Sequence, residues 1–383
     1  MNPLKNILKF SWYLVRDMGL AKGSSVIKDK SLVIVRMDAI GDFILFRNFI
    51  EEIAISKKYS DFDITLVGNI LWKDIAESLD DDWINHFIWV NPVKFQKDFL
   101  YRKKIVTQLN KWRYDILYHP TFSPDYYVAE TIVKLIHANT KVGIKGDINN
   151  TSNWQKSLCE KTYNYVIEAE EFPLFEFEKN KLINHLFLEQ SAAIEKPFIN
   201  ANKLKQKNLY PGDYIILFIG GGEEFRKWNN KNWVSLINLF LKEYPYDILI
   251  LGGPSEIKPG EAIKREFNNT TRVKNKCGKT TFEELMVLIN ESKIIVSNDT
   301  SAQHLAVALS TPVLVISNGN NYGRFTPYPY SVFASYNVVF PHEIEIIKDK
   351  NALAQKLAIK SYSDINTISP ETVFIKIKKL LST

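Results

Sequence analysis

Only two of the 383 residues are cysteine, Cys159 and Cys277, too few for a disulfide framework or a thiolate metal cluster. A reducing, cytoplasmic setting fits that scarcity. No uninterrupted apolar run approaches the roughly 20 residues that cross a bilayer, so a membrane-spanning chain is not expected. Charge of one sign is not concentrated either. The formal net charge is +6, but lysine and arginine are spread along the chain and no nucleic-acid recognition module occurs. Nucleic acid is therefore not an expected partner. Neither GxGxxG nor GxxxxGK[ST] is present, which removes the two standard phosphate-loop arguments for a dinucleotide or ATP.

What is present is ample apolar material, 45% of the chain, and a length that suggests two domains at about 100–200 residues each. The opening MNPLKNILKFSWYLVRDMGLAKG alternates Lys5, Lys9 and Arg16 with Leu8, Phe10, Trp12, Tyr13, Leu14 and Val15. That is the pattern of a basic amphipathic helix, and it lacks the small-residue cleavage site of a signal peptide. It suits packing on the protein body or peripheral contact with an anionic membrane.

Short β-branched runs alternate with helical periodicity. SLVIVR (31–36), ITLVG (64–68), INHFIWV (84–90), YDILYH (114–119) and KVGI (141–144) read as one series of strands. DYIILFIG, YDILILGG, KIIVSND and PVLVIS read as a second. Such alternation predicts an α/β fold with two Rossmann-like parallel-sheet domains. In such sheets ligands bind beyond the carboxyl ends of the strands, where helix N-termini converge. Four polar seams fall there: VRMDAIGD, IGGGEEFRKW, LGG and SNDTSAQH.

Each seam has a mechanism and a plainer alternative. Gly220, Gly221 and Gly222 permit close backbone approach to an anion, with Arg226 and Lys227 adding charge, or they simply form a turn. Thr300 and Gln303 match a capping box that opens a helix at Ser301, aiming first-turn N–H groups at the strand ends. His304, one turn further on, would orient Asp299 or a phosphate oxygen, or be a satisfied histidine in an ordinary cap. Asp42 stands where a first-turn acid is favourable and where a carboxylate could serve as general base. Nothing in the sequence orients Asp38.

Together LVIVRMDAIGDFILF, ILFIGGGEEFRKWNNKNWVSLINLF, ILILGGPSE and IIVSNDTSAQHLAVALSTPVLVI resemble the heptosyltransferase-like glycosyltransferases, over residues 31 to about 329. The resemblance implies a GT-B arrangement, two domains facing across a cleft: an acceptor-side domain over 1–195 and a nucleotide-sugar domain over 196–383, with the final helices packing back on the first. It implies an inverting transfer without metal or cofactor, from a nucleoside-diphosphate sugar, heptose first, to a lipopolysaccharide-core or other surface glycan. Asp42 becomes the base and Lys227 the neutraliser of donor phosphates. Asp299, Thr300 and His304 would lie near sugar or diphosphate, with the Thr300–Ala302 backbone on phosphate.

Two departures stand out. The family's DTGP reads DTSA here, with Ser301 and Ala302 in place of Gly and Pro, and neither change removes an N–H. ISNGNNYGRFTPYP replaces a glycine–proline–threonine loop, making Asn318, Asn320, Asn321 and Arg324 candidates for recognising a different donor. Another nucleotide sugar, or a non-catalytic nucleotide- or glycan-binding role, are the alternatives. On the acceptor side, Asp38, Lys103, Lys104, Arg113 and His119 are the candidates for a glycolipid or oligosaccharide. The expected place is the cytoplasm, at the inner face of the cytoplasmic membrane.

Overall fold

The structure is a computed structural model that describes residues 17, 20, 26–191, 193–358 and 360–382. Most of the amphipathic leader, residues 1–16 included, lies outside the described residues. No helix among the described residues is long and apolar enough to cross a membrane.

Two six-stranded sheets organise the chain. The first contains β1 (Ile27–Arg36), β2 (Asp63–Asn69), β3 (His86–Val90), β4 (Arg113–Tyr118), β5 (Ala138–Ile144) and β6 (Tyr165–Ile167), in the order β3-β2-β1-β4-β5-β6. The second contains β7 (Tyr214–Phe218), β8 (Asp247–Leu251), β9 (Val273–Asn275), β10 (Ile295–Asn298), β11 (Val313–Ile316) and β12 (Tyr336–Val339), in the order β12-β11-β10-β7-β8-β9. Every strand pairing is parallel. Counted from its own first strand, the second order is the first read from the opposite edge, so one doubly wound topology occurs twice. Winding reverses between β1 and β4, and again between β7 and β10. These are the places where such sheets open a crevice for ligands.

By backbone packing, the described residues up to 43 and within 49–172 and 180–193 form one compact unit, and those within 44–48, 173–179 and 194–382 form the other. Within the first, Leu32, Val33, Ile34 and Val35 of β1 are all fully buried, because helices cover both faces of a parallel sheet. Val33 and Val35 pack with Phe95, Ile105, Val106 and Leu109 from the helices Pro92–Lys97 and Phe99–Leu109. In the second unit Ile215, Leu217 and Ile250 pack with Trp233, Ile237 and Phe240 of the helix Asn230–Glu243. The last helix, Pro370–Leu381, is capped by Ser369 and adds Val373, Phe374 and Ile377 to that same core. Its apolar stripe completes the second sheet's covering layer.

The long β-branched runs become strands as the sequence predicts. Three strands were not predicted: β6, β9 and β12, all edge strands of three or four residues, too short to show a period.

Candidate functional site

At the first reversal point the turn leaving β1 is built around Arg36, whose side chain is 1% exposed. Its guanidinium pairs with Asp38 at 2.7 Å, donates to the Pro120 carbonyl in the loop leaving β4, and reaches the Asp42 carbonyl at 3.4 Å. One buried cation therefore ties together the loops of both strands that flank the reversal. Asn69 Nδ2 donates to the Met37 and Asp38 carbonyls at 3.2 and 3.3 Å, and the Trp72 indole N–H donates to the Asp38 carbonyl at 3.1 Å. Trp72 can approach because residue 68 is glycine. A Cβ there would stand 2.3 Å from the indole ring. Phe43 stacks on Trp72 at 3.9 Å and holds the helix Ile40–Phe46, whose first turn carries the half-buried Asp42.

His119 follows directly on β4 and is 1% exposed. Its Nδ1 lies 2.8 Å from the Tyr163 hydroxyl, which stands 3.0 Å from both carboxyl oxygens of Glu130. Burial, helped by the Arg36 charge, lowers the His119 pKa to about 3, so the ring is neutral. Burial raises the Glu130 carboxyl to about 7, against the opposing hydrogen bond from Tyr163. The expected acceptor group does not assemble as one cluster. Asp38 is committed to Arg36, and Lys103 and Lys104 are exposed on the helix that follows β3. Arg113 opens β4 at its amino end, so five strand residues, about 16 Å, separate it from the ligand-side rim.

At the second reversal point Asn298, fully buried, links the strand ends. Its Nδ2 donates to the Ile219 and Gly220 carbonyls at 2.9 and 3.0 Å, and its Oδ1 accepts from the Trp228 backbone N–H at 3.2 Å. The next residue, Asp299, is 3% exposed and accepts from Gln303 Nε2 at 2.6 Å, Thr326 Oγ1 at 3.0 Å and Ser317 Oγ at 3.2 Å. Arg226 closes on it too, 2.7 Å from its carbonyl and 3.3 Å from its carboxylate. Lys227 lies 3.1 Å from Glu256 and 3.4 Å from Glu224. Burial opposes its charge, but the two carboxylates outweigh this and raise its pKa. Gly221 makes room for that side chain, since a Cβ would sit 2.8 Å from Lys227 Cγ, whereas Gly222 faces open space.

Thr300 caps the helix Ser301–Ala308, accepting from the Ala302 N–H at 3.3 Å. The expected capping box does not form. Gln303 turns into the core, where its Nε2 donates to Asp299 and its Oε1, the acceptor a capping box needs, accepts from Tyr336 and Thr326 instead. His304 does not orient Asp299 either. Its Nδ1 pairs with the Tyr328 hydroxyl at 2.6 Å, and burial lowers its pKa to about 4.

The candidates for donor discrimination are largely engaged within the protein. Asn318 bonds the Phe225 carbonyl and the Asn320 N–H, and Ser361 ties both asparagines. Arg324 pairs with Glu176 at 2.8 Å. Asn321 is half-buried, at a φ of 54°. Among the described residues, no three His, Cys, Asp or Glu side chains are grouped as metal ligands.

A family profile described as glycosyltransferase family 9 (heptosyltransferase) matches residues 104–355. The chain belongs to that family. It is 21% identical over 233 residues to lipopolysaccharide heptosyltransferase 3 of Escherichia coli, covering 58% of this chain and 65% of the relative. It is 30% identical over 111 residues to lipopolysaccharide heptosyltransferase 2 of Salmonella typhimurium, covering 28% and 31%. The matched segments thus span about one third to two thirds of these relatives' lengths. Among solved structures, an Escherichia coli heptosyltransferase with ADP superposes with a TM-score of 0.70 at 17% identity, over 91% of this chain and 99% of the other. A family 9 glycosyltransferase from Veillonella parvula superposes with a TM-score of 0.69 at 16% identity, over 92% and 97%. At these identities the superpositions speak for the fold.

Within this family 9 chain, several site residues escaped the sequence argument. Arg36, Glu256, Ser317, Thr326 and Tyr328 all hold site side chains or loops, as does Asn298, which the sequence showed only as one polar residue of its seam. Arg36 and Asn298 lie within the seams VRMDAIGD and SNDTSAQH, and Glu256 closes GGPSE three residues after Gly253. The others become visible only when distant segments meet.

Proposed function

We propose that the chain is an inverting glycosyltransferase that moves a sugar from a nucleoside-diphosphate donor to a lipopolysaccharide-core or similar glycan acceptor. The observation that carries the reading is the second reversal point. Two cations, Arg226 and Lys227, stand at the carboxyl ends of β7 and β10 beside the N-terminus of the helix Ser301–Ala308. That combination stabilises the growing charge of a departing diphosphate. Both cations are held by carboxylates that a bound diphosphate would replace as partner. At the first reversal point, Asp42 is the general base that takes the acceptor hydroxyl's proton as the oxygen attacks the anomeric carbon. Arg36 acts on it through the backbone, fixing the loop and first turn that carry it.

The test is calorimetric titration of the protein with ADP, GDP, UDP and dTDP, alongside Lys227→Ala. One nucleotide is expected to bind preferentially and to weaken about tenfold or more in the variant, the size of a lost charged hydrogen bond. Preference for ADP makes ADP-heptose the first donor for a transfer assay, and another base reassigns the donor. Absence of binding to folded protein would sink the transferase reading.

A further inference from the structure

The loop leaving β4 is clamped by its backbone while its polar side chains stay unused. The Pro120 carbonyl accepts from Arg36, the Phe122 carbonyl from the Asp147 N–H at 2.9 Å, and the Ser123 carbonyl from Asn150 Nδ2 at 2.7 Å. The Thr121 N–H donates to the His119 carbonyl at 2.9 Å. At alternate positions of this loop His119 Nε2, Thr121 Oγ1 and Ser123 Oγ are buried, and none has a hydrogen-bond partner among the described residues. His119 and Ser123 are only 1% and 8% exposed. Burying a polar atom without a partner is costly, so three on one clamped loop point to a ligand that satisfies them.

The far side of the imidazole is fixed. Its Nδ1 meets the Tyr163 hydroxyl at 2.8 Å, and that hydroxyl stands 3.0 Å from both Glu130 carboxyl oxygens. Tyr163 fits there because residue 143, on β5, is glycine. A Cβ at that position would stand 2.6 Å from the phenol ring. The order of the protons follows. An ionised Glu130 only accepts, so Tyr163 donates to it and the phenol oxygen accepts from Nδ1–H. Burial keeps the ring neutral, and a neutral ring with its proton on Nδ1 has a bare Nε2.

Chemistry selects the ligand. An oxyanion has no proton to give a bare nitrogen, and Arg36, the cation at this turn, is paired with Asp38 at 2.7 Å. A hydroxyl can donate to Nε2 while neighbouring hydroxyls of the same ligand exchange hydrogen bonds with Thr121 and Ser123. Adjacent hydroxyls are the chemistry of a sugar. We propose that His119 Nε2, with Thr121 and Ser123, binds hydroxyls of the receiving glycan, and that Tyr163 and Glu130 are positioning residues that set the His119 tautomer for this contact. Arg36 joins Pro120, next to His119, to the loop carrying Asp42, so this subsite shares a turn with the proposed base. The identity of the ligand rests on the transferase reading; the tautomer does not.

The experiment is nitrogen NMR of the full chain with isotope-labelled histidine, above the pH at which Glu130 titrates. The His119 signal is assigned by its loss in His119→Gln. Wild type is expected to show Nδ1 protonated and Nε2 bare. In Tyr163→Phe the proton is expected to move to Nε2, the ordinary preference of a free imidazole. Deacylated lipopolysaccharide-core oligosaccharide is expected to shift the wild-type Nε2 signal toward the protonated range. Calorimetry should find its affinity about fivefold weaker in Tyr163→Phe, with nucleoside-diphosphate affinity at wild type. Thermal melts confirm folding, and the wild-type spectrum carries the test if the variant unfolds. His119 protonated on Nε2 in wild type overturns the tautomer and with it the proposal. An Nε2 signal that ignores the oligosaccharide overturns the glycan contact. Neither readout involves a nucleotide, so a protein that binds nucleoside diphosphate yet fails here loses this inference alone.

Discussion

The two reversal points share a winding and differ in how they handle charge. At the first, one buried guanidinium spends most of its donors on backbone carbonyls and on Asp38, so its work is to shape a loop. At the second, two partly exposed cations each face a buried carboxylate, Arg226 against Asp299 and Lys227 against Glu256, so charge is held ready at the strand ends. The fold supplies two equivalent crevices. The side chains of the two loops divide them into a place where a cation shapes the loop carrying an acid and a place where two cations face buried carboxylates.

The largest expected effect breaks the first half of this contrast. Asp42→Asn should cut turnover by about a factor of 10²–10⁴ while nucleoside-diphosphate affinity stays at wild type, read by steady-state kinetics and calorimetry. Retained turnover would remove Asp42 as the base. On the second side, Asp299→Ala strands Gln303, Ser317, Thr326 and the Arg226 guanidinium at once, and should cost about 3 kcal/mol in urea unfolding. A loss below about 1 kcal/mol would mean that the network is not what holds this rim.

A pH measurement sharpens the comparison. Glu130 titrates near 7 in the folded protein against about 4.5 unfolded, so the native state binds more protons in between. Its contribution is fully present below pH 4.5 and is lost as pH rises through 7, by about 2 kcal/mol between pH 5 and 7. His119 and His304, lowered to about 3 and about 4, act with the opposite sign: their contributions are present above 6.5 and are lost as pH falls toward those values. Comparing Glu130→Gln with wild type cancels the histidines. The variant should gain relative stability as pH rises from 5 to 7, and a flat difference would contradict the buried-carboxyl account. The smallest effect concerns Gly221. Gly221→Ala pushes on Lys227 and should weaken nucleoside-diphosphate binding about fivefold, whereas Gly222→Ala, in open space, should leave it unchanged.

Much of the fold was legible because β-branched runs such as LVIV and YIILF have few alternatives to a buried strand, and the seams after them had to fall on the strand-end side. The candidate site was legible as a set of segments, less so as contacts. Gln303 fitted a capping box by spacing, yet its side-chain oxygen accepts from the buried Tyr336 and Thr326 hydroxyls instead of the cap. Arg113 belonged to a basic stretch but opens a strand, and so stands at the wrong end of the sheet. Asn318, Asn320 and Arg324 looked available to a donor, and folding gives them partners at Ser361 and Glu176.

By itself the sequence determined the two series of parallel βα units, the polar seams at their strand ends, and the acids and bases available there, because periodicity and turn chemistry act over a few residues. Only the tertiary structure decided which cation meets which carboxylate, and that Arg36 joins the loops after β1 and β4. It also decided that Asp17 meets the buried Arg102. Such pairings span tens of residues or more. They exist only because burial makes an unsatisfied charge too costly to leave alone.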